Sequence, residues 1–193
     1  SFGGIPSEEY PETPSITGET TIDVPHSMLK SRIRQTIVAV ADTDAKPIHT
    51  GTLLELGGGT LRLVSVDGYR LAIREEPVQA NEEASFVVPG KTLNEVTKLL
   101  SDSEEETLSL VVGRRHILFK IGNYTVISRL LEGEFLDYKA AIPAASSTEV
   151  LVNTRSFIES VERVSLLITD RPKSPVRCLV EDTVTKLPRS TSL

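Results

Sequence analysis

Three segments of the chain repeat one pattern: a short β-branched run, a turn, and then apolar residues at helical spacing. Val24, Val88 and Val152 hold the same place in the three copies, with a constant spacing of 64 residues. The helical spacing predicts three amphipathic helices whose apolar stripes face a sheet. Because this repeat is longer than a solenoid unit, each copy is predicted to be a small α+β unit. The stripes consist of Leu29, Ile33 and Ile37; Leu93, Val96 and Leu100; and Phe157, Val161 and Val164.

Between the helices the pattern changes to an alternation of apolar and polar residues, interrupted by turn signals. Gly57-Gly58-Gly59, Asp67-Gly68 and Gly122-Asn123 separate the alternating runs, as is typical of an antiparallel meander. Each complete unit is therefore predicted as strand-helix-strand-strand-strand, with the helices on one face of antiparallel sheets. The predicted strands of the meanders are 48–56, 61–66, 69–74, 108–112, 117–121 and 124–128.

The repeats predict how the chain divides into domains. Residues 1–20, rich in proline and acids, are interpreted as a linker or the end of a preceding domain. Residues 21–143 would form one domain of two units. Residues 149–193 would begin another, incomplete domain, with one helix and a further strand at 176–180. Because the sequence after Asp182 departs from the repeat, we expect a piece of a longer protein with a non-native or fraying tail; a disordered natural terminus is the alternative.

The composition is that of an ordinary globular protein, with 39% hydrophobic and 25% charged residues among 193. There is no apolar run of the roughly 18 residues that a transmembrane helix needs. Because the first residues do not form a basic and then apolar leader, we expect no signal peptide. The single cysteine, Cys178, excludes a disulfide framework and a cysteine-rich zinc site. We therefore expect a cytoplasmic protein without membrane association, in which Cys178 is a buried structural thiol.

No catalytic constellation is recognisable in the sequence. His26, His49 and His116 are scattered without metal-ligand spacing, and the glycines at 57–59 open a strand rather than a phosphate-binding helix. The acids at 104–106 are interpreted as a solvated run in a loop. We therefore predict no catalytic residues, no metal and no cofactor.

Charge is distributed unevenly along the chain. The three predicted helices together carry a net charge of +4, whereas the whole chain carries −6. Lys30 and Arg34 share one face of the first helix, where their repulsion is offset if an anion lies nearby. This asymmetry suggests a surface that touches the phosphate backbone without reading bases. A merely solvated helix face is the alternative.

The stretches LRLVSVDGYRLAIRE, FVVPGKTLNEVTKLL and SRLLEGEFLDYKAAIP closely resemble the middle domain of the bacterial DNA polymerase III β subunits, the sliding clamps. The resemblance covers residues 21–143 and resumes over 149–177 as the start of a third domain. It implies the DNA-clamp fold and a non-catalytic subunit that encircles duplex DNA, confers processivity and docks partners. Those partners would be the polymerase α subunit, the clamp loader and repair polymerases.

The resemblance also implies site residues. Basic residues on the helices would face DNA: Lys30, Arg32, Arg34, Lys91 and Lys98. A cleft beside the third domain would receive a short peptide with apolar anchors, at His49, Val66, Gly68, Tyr69, Arg70, Leu71, Leu136 and Ala141. Two of these depart from the family pattern, since His49 replaces a common leucine and Leu136 a usual proline.

The family closes a homodimeric ring through its first and third domains, neither of which is complete here. We therefore expect this chain not to close the ring, and to bind peptide weakly or undetectably because one wall of the cleft belongs to the third domain. A protein-interaction module that never contacts DNA is the rival interpretation. An enzyme is a remote third, since it would need a convergent polar pocket.

Overall fold

The computed structural model divides the chain into two compact units, with the boundary after Ala141. The predicted linker and most of the predicted tail lie outside the described residues. The structure describes residues 20–43, 46–80, 82–146, 148–167, 176–180 and 185–186.

The first unit contains two copies of the predicted strand-helix-strand-strand-strand order, which confirms the α+β prediction. Its elements are β1 (Thr20–Pro25), α1 (His26–Thr36), β2 (Gly51–Gly57), β3 (Thr60–Val66), β4 (Leu71–Pro77), β5 (Ala84–Pro89), α2 (Gly90–Leu99), β6 (Thr107–Val112), β7 (His116–Ile121), β8 (Tyr124–Arg129) and the short α3 (Tyr138–Ala141).

The helices begin where the repeat predicts. The helices α1, α2 and α4 (Thr154–Ser165) start at His26, Gly90 and Thr154, each 64 residues after the last. The repeat seen in the sequence is therefore a repeat of structure.

The two copies in the first unit exchange their first strands. One four-stranded sheet has the order β1-β6-β7-β8 and the other β5-β2-β3-β4, so each copy completes the meander of the other. Both exchanged pairs are antiparallel, with Ile22 opposite Leu110 and Leu54 opposite Phe86. Neither sheet can be complete without residues from both copies.

One hydrophobic core lies between the two helices and the two sheets. Leu29 of α1 and Leu93 of α2 are fully buried in it, together with Leu54 and Leu110 from the two sheets. Full burial of a leucine side chain contributes about 1.5–3 kcal/mol. The stripes predicted for α1 and α2 therefore face the sheets, as expected.

A second, smaller cluster lies on the other face of the β5-β2-β3-β4 sheet. Leu53, Val64 and Val87 point into it, while their sequence neighbours point into the main core. Residues 130–141, which we call the strap, cross this cluster. The strap is joined to β5 by a bridge between Val87 and Leu131, and buries Tyr138 at its far end.

Two predicted strands start later than expected. The residues Pro47–Thr50 form a 3-10 turn, and β2 begins only at Gly51, because Pro47 fixes φ at the first position of that turn. Strand β4 begins at Leu71 because Asp67 holds Tyr69 and Arg70 in a turn.

The glycines at two predicted turns have the backbone that a turn requires. The φ angles are +58° at Gly58 and +91° at Gly68, a region that favours glycine.

The second unit contains α4 and a two-stranded hairpin, β9 (Leu179–Val180) with β10 (Thr185–Lys186). No residue of α4 is buried, although its sequence has the same stripe. The further strand predicted at 176–180 is shorter than expected, as β9. The prediction for Cys178 was wrong, because this cysteine is exposed.

No helix in the described part of the chain is both long and apolar enough to cross a membrane.

Candidate nucleic-acid and peptide interfaces

Two of the predicted DNA-facing side chains are exposed. Arg34 is exposed on α1, whose buried face carries Leu29 and Ile33, and Lys91 is exposed in the first turn of α2. Within the described residues neither side chain has a hydrogen bond or ion pair. Both remain available for an external anion.

The other three predicted DNA-facing residues have acidic partners. Lys30 Nζ lies 2.8 Å from Asp102 Oδ1, in the loop after α2. The hydrogen bond and charge of Lys30 lower the pKa of Asp102, and the charge of Arg34 adds to this effect. The ammonium of Lys98 pairs with Glu95 at 2.6 Å on its own helix.

Arg32 lies in a polar seam between α1 and the edge strand β4. Its guanidinium forms an ion pair with Glu76. The side-chain oxygen of Gln35 accepts hydrogen bonds from both Arg32 and Arg74. The Nε atom of Arg32 is buried without a partner among the described residues. Arg32 thus makes internal contacts that Arg34 and Lys91 do not make with the described residues.

The predicted peptide residues of the β3–β4 connection form an ordered turn. The carboxylate of Asp67 accepts the backbone N–H groups of Tyr69 and Arg70 at 3.0 and 3.1 Å, and Arg70 Nε at 2.8 Å. Burial raises the pKa of Asp67, but these hydrogen bonds and the Arg70 charge outweigh it and hold the pKa below its usual value. The turn leaves Tyr69 100% exposed, an unusual position for an aromatic ring.

Glycine at position 68 is required by the backbone conformation of the turn. A Cβ at this position would meet no protein atom within 4 Å, so close packing within the chain does not require glycine. The positive φ angle requires it. The open space above Gly68 is compatible with a ligand.

The remaining predicted peptide residues lie beside the turn and on the strap. Val66 is buried and pairs with Leu71, which packs on the second cluster. The ring of His49 contacts Phe135 edge to face, with centroids 5.5 Å apart. Burial, with a smaller effect from the Lys46 charge, lowers the pKa of His49.

Leu136 and Ala141 are the two exposed members of this group on the strap. Leu136 is 42% exposed and follows Phe135 directly. Leu71 thus packs on the second cluster and His49 reaches it through Phe135, whereas Ala141 lies at the end of α3.

Sequence reasoning missed the residues that fasten the strap. The Tyr138 hydroxyl donates a hydrogen bond to Glu55 and accepts one from Arg62. Arg62 also donates a hydrogen bond to Glu75. The two acids flank Arg62 in the registers of β2 with β3 and β3 with β4. Opposite charges across strands stabilise a pairing, so a strand alignment would have revealed Glu55, Arg62 and Glu75. It would not have revealed Tyr138.

Within the described residues no three His, Cys, Asp or Glu side chains are grouped to hold a metal ion.

Comparison with known proteins identifies the family. A sequence model described as "DNA polymerase III beta subunit, central domain" matches residues 23–137. The beta sliding clamp of Bacillus subtilis is 35% identical over 179 residues, covering 92% of this chain and 47% of that protein. The clamp of Halalkalibacterium halodurans is 37% identical over 171 residues, covering 86% and 45%. The chain thus spans about half the length of these curated relatives.

Solved structures that are similar to this chain belong to the same family. A putative DNA polymerase III beta subunit from Eubacterium rectale has a TM-score of 0.88 at 32% identity, covering 93% of this chain and 49% of that one. The Bacillus subtilis sliding clamp has a TM-score of 0.84 at 31% identity, covering 95% and 52%. The chain belongs to the family of DNA polymerase III beta subunits.

Proposed function

We propose that this chain is part of a sliding clamp, which encircles duplex DNA without sequence preference and confers processivity on a replicative polymerase. It would act in the cytoplasm as a non-catalytic subunit. The observation that carries the DNA contact is the pair of exposed cations that make no ion pair with any described residue, Arg34 and Lys91, on neighbouring helices. Point charges of this kind bind phosphates and carry no base information.

We propose a graded role for the five basic residues. Arg34 and Lys91 would make the main phosphate contacts, because DNA need not displace an acid to reach them. Lys30 and Lys98 would contribute after exchanging Asp102 and Glu95 for phosphate. Arg32 would contribute least, since its guanidinium both pairs with Glu76 and donates a hydrogen bond to Gln35.

The domain division supports the same proposal. We propose residues 21–143 as the complete middle domain, residues 1–20 as the end of a first domain and residues 149–193 as the beginning of a third. The match of the central-domain model to residues 23–137 supports the first of these boundaries. The full-length protein would close a homodimeric ring.

The second proposed contact is a groove for short peptides with apolar anchors. The exposed Tyr69, the open turn at Gly68 and the half-exposed Leu136 favour it. The polymerase α subunit, the clamp loader and repair polymerases would supply such peptides. A module that binds only peptides is the competing function, and the same exposed apolar residues favour it.

Salt-dependent binding to duplex DNA tests the proposal. We expect Lys91→Glu and Arg34→Glu each to weaken binding and together to reduce the slope of log K against log salt by about two. The matched control is Lys120→Glu, an equal charge change at an exposed position of β7, where Phe119 and Ile121 point to the core and Lys120 away from it. Fluorescence anisotropy with a labelled duplex measures both quantities.

Equal losses in Lys91→Glu and Lys120→Glu would show that only net charge matters, and would remove the helix face from the proposal. Binding that is absent even at low salt, together with retained peptide binding, would favour the peptide-only module.

A further inference from the structure

A polar network fastens the far end of the strap to the β5-β2-β3-β4 sheet, on the face that carries the second cluster. Tyr138 is 4% exposed, and its hydroxyl donates to Glu55 Oε2 at 2.5 Å. Arg62 Nη1 donates to the same Glu55 oxygen at 3.1 Å and to Tyr138 Oη at 3.3 Å. Arg62 Nε donates to Glu75 Oε1 at 2.5 Å. The hydroxyl therefore ties the strap to β2 and β3, and Arg62 extends the network to β4.

The contacts of this network favour an ionised Glu55 and a neutral Tyr138. Burial raises the pKa of Glu55, but hydrogen bonds from Tyr138 and Arg62 and the charges of Lys139 and Arg62 outweigh it, so its pKa lies below the ordinary value. Burial and the bond to Glu55 raise the pKa of Tyr138. At neutral pH Glu55 is therefore ionised and accepts a hydrogen bond from the neutral Tyr138 hydroxyl, which makes this a charge-assisted hydrogen bond.

The near end of the strap is fastened by backbone and apolar contacts. The N–H of Leu131 donates to the Val87 carbonyl at 2.9 Å, and Phe135 contacts His49. Leu136 lies between the Phe135 contact and Tyr138, whose N–H donates to the Leu136 carbonyl at 2.7 Å. Ala141 ends the single turn of α3 that Tyr138 begins. The positions of Leu136 and Ala141 therefore depend on where Tyr138 is held.

We propose that Tyr138 is a positioning residue of the peptide groove: its hydroxyl, held by Glu55 and Arg62, fixes the strap and so sets where Leu136 and Ala141 meet a bound peptide. This inference rests on the proposed peptide function. The side chain of Tyr138 is buried on the sheet side of the strap, so it would not contact the peptide itself. It acts through the two exposed residues on either side of it.

The test uses Tyr138→Phe, which removes one oxygen and keeps the ring. Its matched control is Tyr124→Phe, the same change at a 62% exposed position of β8. An NMR titration with a short peptide of apolar anchors detects binding even at millimolar affinity. Because one charge-assisted hydrogen bond is lost, we expect Tyr138→Phe to weaken binding about threefold to tenfold and Tyr124→Phe to leave it unchanged. Duplex DNA binding should not change in either variant.

Two further readouts separate positioning from general stability. In Tyr138→Phe the pKa of Glu55, followed by carboxyl NMR, should rise toward its ordinary value, and amide exchange should speed up across residues 136–141 but not in β6 or β7. Glu55→Gln keeps an acceptor for the hydroxyl, so it should restore part of the peptide affinity that Glu55→Ala loses.

The outcomes are distinguishable. Unchanged peptide affinity in Tyr138→Phe, with measurable binding in the unaltered chain, overturns the positioning role and leaves the groove intact. No binding by the unaltered full-length protein, in which the third domain is complete, overturns the peptide function, while the exchange of residues 136–141 still decides whether Tyr138 holds the strap. Faster exchange throughout the first unit would mean that the hydroxyl serves overall stability, and would also overturn the inference.

Discussion

The helices α2 and α4 occupy the same place in the repeat but have different surroundings. Leu93 of α2 is fully buried, whereas Phe157, 64 residues later, is 37% exposed. The apolar stripes of α1 and α2 pack on a core shared by two sheets, whereas no residue of α4 is buried. The apolar pattern therefore determines where a helix forms, and the sheet beside it determines how much of the stripe is buried.

The helices also differ in how their first turns are capped. Pro25 and Pro89 precede α1 and α2, and neither helix has a side-chain cap. Asn153 holds the equivalent place before α4, and its Oδ1 accepts the N–H of Ser156 at 3.1 Å. Most helical stability in proteins comes from tertiary packing, so helices with a buried stripe can lack a cap. A helix without burial relies on local interactions.

The largest effect is expected when the two copies of the first unit are separated. Because β1 completes the sheet of the second copy and β5 that of the first, residues 20–80 and 82–141 expressed as separate chains should each be unfolded. Mixing them should restore the fold by association. Circular dichroism and the dispersion of amide NMR signals measure both outcomes. A folded spectrum from either half alone would show that the exchange is dispensable.

The next test compares the same repeat position in three helices. We expect Leu93→Ala and Leu29→Ala each to lower the free energy of unfolding by about 2–5 kcal/mol, because each leaves a cavity in a close-packed core. Phe157→Ala should change it by less than about 1 kcal/mol, since the ring is already partly in water. Urea unfolding with residue-resolved NMR reports each unit separately.

Equal losses at all three positions would mean that α4 is covered in solution, and that the contrast between α2 and α4 does not hold. The pair Leu29→Ala and Leu93→Ala is the internal control, because the two copies place these leucines equivalently in one core.

Much of the fold was predictable because the repeat is regular. The starts of three helices and six strands followed from periodicity and turn residues, within two or three residues. The exchange of β1 and β5 was not predictable, since pairing between copies leaves no local signal in either strand. The turn of Pro47–Thr50 was missed because Ile48 and Thr50 also suit a strand, and only Pro47 argues against it.

Less of the candidate site was predictable. Helical spacing placed Arg34 and Lys91 on solvent faces, but it could not show that Arg32 is paired with Glu76 on a distant strand. The motif that contains Tyr138 was visible in the sequence, whereas its bond to Glu55, 83 residues away in the chain, depends on the path of the strap. Contacts between elements that are distant in the chain determine which charged side chains have a partner. The spacing of residues in the sequence does not reveal these contacts.

The smallest test concerns the cap of α4. Asn153→Ala removes the acceptor for the Ser156 N–H and should lower the stability of this helix by about 0.5–2 kcal/mol. A helix of 12 residues is marginal without packing, so this loss should appear as faster amide exchange and reduced helical chemical shifts across α4. Asn153→Asp keeps an acceptor and adds favourable charge at the helix start, so it should preserve the helix. If Asn153→Ala leaves α4 unchanged, packing rather than its own sequence holds this helix, and the distinction from α1 and α2 falls.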